Sequence, residues 1–283
     1  MFLYTLLYHS LIICLLLNHE SMAQRFLTDI TWAHAVNNAT YLNDVLEGSV
    51  DFIEADILMG HLENGTDSIP IMAHPPLNQS DLSLSDFLVR VQAYNLQSRK
   101  SKGIKLDFKS IEALEKSVEI IKQHYDINTY QTWINADIIP GPVDSEVIPV
   151  DPSRFFLAVK ALKSVVLSIG WTTKWGQDYQ IGQYSNKNVQ QMIDVLLANE
   201  IDRAGTTLTF PIRAGIAAYS FDQLSALHQE LDPTNNVTFT IWSSAEDAVD
   251  VKKLRELMFG IGLDKIYLDV PENLKKELNL TNE

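Results

Sequence analysis

Residues 52–57 read Phe-Ile-Glu-Ala-Asp-Ile, a β-rich run in which apolar and acidic side chains alternate. Successive side chains of a strand point to opposite faces of the sheet. The apolar residues at 53, 55 and 57 therefore share one face, and Glu54 and Asp56 share the other. This pattern predicts a strand whose apolar face packs against helices and whose other face carries two carboxylates.

The same alternation recurs in residues 104–109 (IKLDFK), 134–138 (INADI) and 266–270 (IYLDV). Barrel interiors are normally filled with branched apolar side chains, and a buried unpaired charge is costly. Carboxylates that converge on one interior from several strands therefore need cations. Lysines supply part of that charge, and a divalent metal ion is the natural remainder. The polar residues predicted to face inward are Lys105, Asp107, Lys109, Asn135, Asp137 and Asp269.

Nine β-rich runs alternate with segments of helical period along the chain. Helix starts are predicted at Ser110 and at Asp151-Pro152, and one helix from about Asn186 is predicted to end at Gly205. This alternation predicts α/β architecture with parallel strands in a single (β/α)₈ TIM-type barrel. Nine runs are one too many, so we expect 69–73 to form a hairpin-like extension or another run to be an accessory strand. The runs are 29–35, 50–58, 69–73, 103–108, 132–138, 165–171, 206–213, 237–242 and 265–270.

Composition limits the class of protein and the kind of partner. The chain has 283 residues, 46% of them hydrophobic, with 22 basic and 36 acidic residues and a formal charge of −14. These values are ordinary for a globular protein of one large domain. A charge this negative argues against nucleic acid or an anionic membrane surface as the main partner.

Residues 1–23 are predicted to be a signal peptide rather than part of the fold. They are mostly apolar, and Ser21-Met22-Ala23 gives the small-x-small pattern of a cleavage site before Gln24. The run is too short and too interrupted for a stable membrane span, which needs about 20 apolar residues. We therefore expect a secreted chain of residues 24–283; an uncleaved signal anchor is the alternative. The single cysteine, Cys14, would be removed, which leaves no thiolate for zinc or catalysis.

Five Asn-x-Ser/Thr sequons follow the predicted signal peptide. In a secreted chain they predict N-glycosylation and a surface position for their loops. The five asparagines are Asn38, Asn64, Asn78, Asn236 and Asn279.

Two histidines end predicted strands on either side of the Glu-x-Asp pair. His34 follows Trp32-Ala33, and His74 follows the run at 69–73. A lone histidine at a strand end is more often a structural hydrogen-bonding residue. Two of them beside inward carboxylates make proton transfer an equal alternative to that structural role, because imidazole titrates near neutral pH.

The order of these residues resembles a known superfamily. His, then Glu-x-Asp, then His, then Asp-x-Lys is similar to the glycerophosphodiester phosphodiesterase and phospholipase D-toxin branch of the phospholipase C-like barrels. The stretches WAHAVNN, FIEADI, GIKLDFK, WINADI and FTIWSS further resemble the menorin family of secreted or membrane-tethered animal proteins. This resemblance covers residues 31–271.

The resemblance implies a set of site residues. His34 and His74 match the paired catalytic histidines, and Lys109 matches the phosphate-facing lysine. Glu54, Asp56 and Asp107 match the ligands of a metal ion, which would be Mg²⁺ or Ca²⁺. The residues expected to contact substrate are Lys105, Asn135, Asp137, Arg213 and Trp242.

The sequence also departs from the superfamily pattern. Ala35-Val36 follows the first histidine where Arg-Gly is usual, and Pro75 follows the second where Asp is usual. Arg213 is the candidate to supply the missing phosphate-binding arginine from a later strand. The other reading of Arg213 is a salt-bridging arginine at a strand end.

Three functions follow, and the first is favoured. A metal-dependent phosphodiesterase would use water, giving hydrolysis, or a substrate hydroxyl, giving a cyclic phosphate, on a phosphodiester or lipid-like substrate. A non-catalytic extracellular ligand or adhesion cofactor would use the barrel as a scaffold for cell-surface or extracellular protein partners. A glycoside hydrolase would pair Glu54 with Asp137 across a cleft and use Trp133, Trp171 and Trp242 as sugar platforms. Glu54 and Asp56, two residues apart on one strand, fit joint metal chelation better.

Overall fold

The computed structural model describes residues 26–124, 130–176, 178–201 and 205–280. The predicted signal peptide at 1–23 and its Cys14 lie outside these ranges. Within them, no helix combines the length and the apolar character needed to cross a bilayer.

Eight parallel strands of the described chain form a nearly closed barrel, which confirms the predicted α/β TIM-type fold. Each barrel strand is hydrogen-bonded to the next one along the chain, and the first and last strands are bridged by side chains. His34 and Asp269 make one such contact, and Trp32 and Tyr267 make another. The barrel strands are β1 (Trp32–Ala33), β2 (Phe52–Leu62), β5 (Gly103–Phe108), β6 (Thr132–Pro140), β7 (Val166–Thr172), β8 (Thr207–Arg213), β9 (Asn236–Trp242) and β10 (Ile266–Asp269); β3 (Ile69–Met72) and β4 (Gln79–Ser80) lie outside the barrel.

The extra strands extend β2 beyond the barrel rim. β3 runs antiparallel to the second half of β2, with Ile57 opposite Met72 and Gly60 opposite Ile69. This confirms the predicted hairpin-like extension. The two-residue β4 pairs with the tip of β2 at His61 and was not predicted.

Helices form the outer layer between the barrel strands. The predicted start at Asp151-Pro152 is confirmed, because the Asp151 carboxylate accepts a hydrogen bond from the Arg154 backbone N–H. The predicted helix end at Gly205 is wrong: that helix stops at Ala198, and Glu200 turns to a φ of 62°. The helices are α1 (Ala39–Glu47), α2 (Leu84–Gln97), α3 (Ile111–His124), α4 (Pro152–Val159), α5 (Asn186–Ala198), α6 (Ala214–Ala217), α7 (Phe221–Leu231), α8 (Val251–Ile261) and α9 (Glu272–Leu278).

The first barrel strand is shorter than the predicted run at 29–35. Before it, the backbone N–H and hydroxyl of Thr31 donate to the Asp51 carboxylate at 2.9 and 2.8 Å. The Thr31 N–H therefore bonds to a side chain and not to a neighbouring strand. After it, Ala35 adopts a φ of 53°, which turns the chain out of the strand. Only Trp32 and Ala33 therefore pair with β2 as strand residues.

Aromatic side chains fill the lower end of the barrel, where its strands begin. Trp133 packs within 5.0 Å of Phe52 and 4.7 Å of Tyr267 between ring centroids, and Trp32 completes the group. Trp133 and Trp171 are 1% and 2% exposed, so both are core residues and present no face to a sugar. The polar inner residues therefore lie toward the upper end, where the strands finish and the βα loops begin.

Candidate metal centre

Three carboxylates meet at the upper end of the barrel. Glu54 and Asp56 project from β2, and Asp107 projects from β5, where it is the register partner of Asp56. One oxygen from each lies within 4.8 Å of the others, which is close enough for all three to bind one ion. Glu54 is 1% exposed and Asp56 is 4% exposed. The ligand set that the resemblance implies is therefore brought together by the fold.

One oxygen of each carboxylate is held by an N–H donor at 2.7 Å. The other oxygens of the two aspartates are turned toward a common point. The donors are the Ala35 backbone N–H to Glu54 Oε2, Asn37 Nδ2 to Asp56 Oδ2, and Asn135 Nδ2 to Asp107 Oδ1.

Lys109 lies between the remaining aspartate oxygens. Its Nζ is 2.7 Å from Asp56 Oδ1 and 2.7 Å from Asp107 Oδ2. Burial disfavours the ammonium ion, but the carboxylates of Asp107 and Asp56 outweigh that effect and raise the pKa of Lys109. Lys109 therefore stays charged and is engaged with the predicted metal ligands.

His34 lies at the edge of the same cluster. Its Nδ1 is 3.2 Å from Asp269 Oδ2 and 3.3 Å from Glu54 Oε2, and its side chain is 58% exposed. The Glu54 carboxylate raises the pKa of His34 to about 9; partial burial opposes the shift and the hydrogen bond to Asp269 adds to it. With Nδ1 occupied, Nε2 is the nitrogen that remains for proton transfer.

We expect the His34 imidazole of the metal-free protein to titrate near pH 9 in an NMR titration, well above its ordinary 6.5. Because the folded-state pKa is raised, the stability this contributes is complete below about pH 6.5 and is lost as the pH rises through about 9. Glu54→Gln removes the main cause and should return the pKa toward 6.5. A His34 pKa that stays near 9 in Glu54→Gln would contradict the assignment of the shift to Glu54.

Charge balance in the upper interior favours a divalent cation. Five acids and three basic groups line this interior, which gives an excess of two negative charges when all five acids are ionised. Burial raises the pKa of Glu54, and Asp56 and Asp107 add to the shift. The pKa of Asp137 rises to about 7, mainly through burial and the nearby Asp107. The five acids are Glu54, Asp56, Asp107, Asp137 and Asp269, and the three cations are His34, Lys105 and Lys109.

Lys105 is a buried lysine without a direct partner. It is 4% exposed, and among the described residues its ammonium makes no hydrogen bond or ion pair. It nevertheless influences the titration of Glu54, Asp107 and Asp137, which places it in the same interior. Lys105 is therefore available to an anion that enters the barrel mouth.

Two of the predicted substrate residues are engaged with protein groups. Asn135 donates to Asp107 and accepts from the Ser168 hydroxyl at 2.5 Å. Arg213 donates through Nε and Nη2 to the Asp247 carboxylate at 2.8 and 2.7 Å, and its guanidinium lies 4.9 Å from the centre of the Trp242 ring. The geometry of Arg213 is that of a salt-bridging arginine at a strand end.

His74 lies near the cluster by its backbone but not by its side chain. The N–H of the preceding Ala73 donates to the Asp56 carbonyl at 3.0 Å. The His74 ring is exposed, and its Nδ1 is 2.7 Å from the carbonyl oxygen of Pro75. Within the described residues, its hydrogen bonds do not reach the three carboxylates. Its catalytic role stays a prediction.

Sequence reasoning missed the roles of Asp269 and Asn37. The alternation in 266–270 did predict that Asp269 faces inward, but its partner His34 is 235 residues away in sequence. Asn37 follows β1 in an irregular turn, where no periodicity applies. The only local signal was its place directly after the predicted strand-end histidine.

All five predicted glycosylation asparagines are exposed, so each is accessible. Asn38 also caps α1, since its side-chain oxygen accepts from the Tyr41 N–H at 2.8 Å. Glycosylation at these positions stays a prediction.

The chain is similar to known proteins over most of its length. The family model described as the Menorin N-terminal domain matches residues 27–275. Human "Protein FAM151B" is 35% identical over 250 residues, which cover 86% of this chain and 83% of the human protein. Among solved structures, that of a probable tagatose 6 phosphate kinase from Sinorhizobium meliloti 1021 is similar with a TM-score of 0.43 and 16% identity. That match covers 81% of this chain and 59% of the other, so this chain spans less than two thirds of that protein.

Proposed function

The chain belongs to the menorin family, and we propose that its barrel mouth cleaves phosphodiesters with a bound divalent metal ion. One observation carries the proposal: the carboxylates of Glu54, Asp56 and Asp107 converge, each with one oxygen already held by an N–H donor. His34 and Lys109 pair with acids of this cluster, yet the acidic groups of the interior outnumber its basic groups by five to three. The likeness of the motifs to phospholipase C-like phosphodiesterases supports the same conclusion.

The donor set indicates which ion would bind. All three ligands are carboxylate oxygens, which suit Mg²⁺ and Ca²⁺. Zinc sites usually include thiolate or imidazole, and neither belongs to this cluster as a ligand. When bound, the ion would neutralise charge on the phosphate oxygens.

Protein side chains would move the protons and hold the anion. Asp269 orients His34 through Nδ1, so the Nε2–H of the protonated ring donates a proton to the leaving alkoxide as the phosphorus–oxygen bond breaks. The attacking oxygen belongs to water or to a substrate hydroxyl, and its proton passes to His74 once that ring leaves the Pro75 carbonyl. Lys105 contacts the phosphate, because its buried ammonium has no hydrogen bond or ion pair within the part of the chain that the structure describes.

A panel of phosphodiesters tests the proposal. We expect the purified protein to cleave at least one of glycerophosphocholine, lysophosphatidylcholine and bis(p-nitrophenyl) phosphate in Mg²⁺ or Ca²⁺, and to stop when EDTA is added. Phosphorus-31 NMR reads the outcome, because a monoester product reports hydrolysis and a cyclic diester reports internal attack. Metal-loaded, folded protein that leaves the whole panel intact would contradict the proposal.

The second candidate function is binding without turnover, as an extracellular ligand or adhesion cofactor. The observation that favours it is that both Arg213 and His74 already contact protein groups. Arg213 donates to the Asp247 carboxylate, and His74 Nδ1 lies at hydrogen-bonding distance from the Pro75 carbonyl oxygen. Both are residues that phosphodiester cleavage was predicted to use. Cell-surface binding by a protein that cleaves nothing, and its loss in His34→Ala, would favour this function.

We also propose that the protein is a secreted glycoprotein without a stable membrane span. The cleavage pattern before Gln24 and five exposed sequons support this. In animal cells, the protein should enter the medium with an N-terminus near Gln24 and shift to lower mass on amidase deglycosylation. Retention in membranes after alkaline extraction would instead indicate a signal anchor.

A further inference from the structure

We propose that Asn37 and Asn135 are positioning residues that set the cation affinity of the acidic cluster. The inference rests on the proposed metal site and adds to it the side chains that orient its two aspartate ligands. Neither residue is proposed as a metal ligand, and the sequence resemblance implied that Asn135 contacts substrate.

The two asparagines make matching contacts from opposite sides of the cluster. Asn37 Nδ2 donates to Asp56 Oδ2, and Asn135 Nδ2 donates to Asp107 Oδ1, both at 2.7 Å. The other oxygen of each aspartate is 2.7 Å from Lys109 Nζ. Each carboxylate thus has one oxygen fixed by an amide and the other directed at a shared cation position.

Asn37 is held so that its amide group must face Asp56. Its Oδ1 accepts the backbone N–H of Asp56 at 2.9 Å, which closes a two-hydrogen-bond ring between the residues. Rotating the amide by 180° would put its oxygen against the carboxylate and its NH₂ against a donor, so only one orientation is satisfied. The backbone carbonyl of Asn37 also accepts from the Ser80 hydroxyl at 3.1 Å.

Asn135 is held in the same manner from β6. Its Oδ1 is 2.5 Å from the hydroxyl of Ser168, a fully buried residue on β7. Because an ionised carboxylate only accepts, the NH₂ of Asn135 must face Asp107. The chain Ser168–Asn135–Asp107 therefore crosses three neighbouring strands and fixes the carboxylate at its end.

An amide is suited to this role because it donates without adding charge. It supports the ionised carboxylate and restricts its rotation, and it does not compete with the cation as an ammonium would. Outer partners of this type are typically worth about 10–100-fold in metal affinity. Loss of either asparagine should therefore weaken binding even though every ligand remains.

Asn95 provides the matched control. It is also a buried asparagine, 5% exposed, and both ends of its amide are used: Nδ2 donates to the Lys102 carbonyl at 3.0 Å and Oδ1 accepts the Lys102 N–H at 2.8 Å. Those contacts join α2 to the start of β5 and leave the carboxylate cluster untouched. Asn95→Ala should therefore lower the melting temperature without changing metal affinity.

The experiment is calorimetric titration of the full chain with Mg²⁺ and with Ca²⁺, together with melting curves in EDTA. We expect Asn37→Ala and Asn135→Ala each to weaken binding by about 10–100-fold, and Asn95→Ala to leave it unchanged. Ser168→Ala, which leaves Asn135 in place but unsupported, should weaken binding in the same direction by less. That variant also serves if Asn135→Ala melts too early to titrate.

The outcomes separate this inference from the proposed function. Wild-type protein that binds neither ion would overturn both. Wild-type binding that is unchanged in folded Asn37→Ala and in Ser168→Ala would overturn the positioning role and leave the metal site standing. Equal weakening in Asn95→Ala would show a general stability effect and would also overturn the inference.

Discussion

His34→Ala is expected to lower the turnover of the cleaved phosphodiester by about 10²–10⁴-fold, the usual contribution of a positioned proton-transfer group. The structure gives the reason: Asp269 fixes Nδ1 at 3.2 Å, and Nε2 is left to protonate the leaving alkoxide. Mg²⁺ affinity should change far less, because His34 is not assigned as a ligand. Steady-state rates and metal titrations on the same preparations measure both effects.

The control for that variant is His124→Ala, at the end of α3 in the outer helical layer. It should keep wild-type turnover, since no contact joins its ring to the cluster among the described residues.

Asp269→Asn should retain a hydrogen-bond acceptor but lose the charge, and its turnover should fall between that of wild type and His34→Ala. Near-wild-type turnover in His34→Ala would remove His34 from the mechanism.

Glu54→Gln/Asp56→Asn is expected to abolish metal-dependent cleavage and the stabilisation that metal gives to the fold. Ligand at about 100 times its dissociation constant stabilises by about 2.7 kcal/mol, or roughly 5–11 °C for a domain of this size. The amides still accept the Ala35 and Asn37 hydrogen bonds. The ion pairs to His34 and Lys109 are lost, but so are the burial cost and mutual repulsion of the two carboxylates, so the metal-free variant should melt close to wild type. Melting curves with and without Mg²⁺ at about 100 times the dissociation constant found by titration measure the difference.

Two outcomes would count against this prediction. A metal-dependent rise in melting temperature that persists in the double variant would place the ion elsewhere. A variant that melts far below wild type in EDTA would show that the carboxylates serve the fold rather than an ion.

The inner wall of the barrel could be predicted because strand geometry is local. A period of two, read from residues 52–57 and 104–109, correctly placed Glu54, Asp56 and Asp107 on one interior. The same rule indicated the inward direction of Asp269. The register between β2 and β5 then brings Asp56 beside Asp107.

The contacts that orient the site depend on turns and on distant partners, which no periodicity encodes. Asn37 reaches Asp56 only because Ala35 takes a positive φ and turns the chain back toward β2. Arg213 forms its salt bridge with Asp247, which lies 34 residues later in the chain. The position of an arginine at the end of a strand does not identify such a distant partner. Sequence patterns thus predicted the inward position of the three carboxylates, whereas the groups that orient them required the structure.

The most direct test of the metal centre is a calorimetric titration of the metal-free wild-type protein with Mg²⁺ and Ca²⁺. We expect one bound ion per chain, with binding lost in Glu54→Gln/Asp56→Asn. A well-folded wild-type protein that binds neither ion, or a double variant that binds as tightly as wild type, would contradict it.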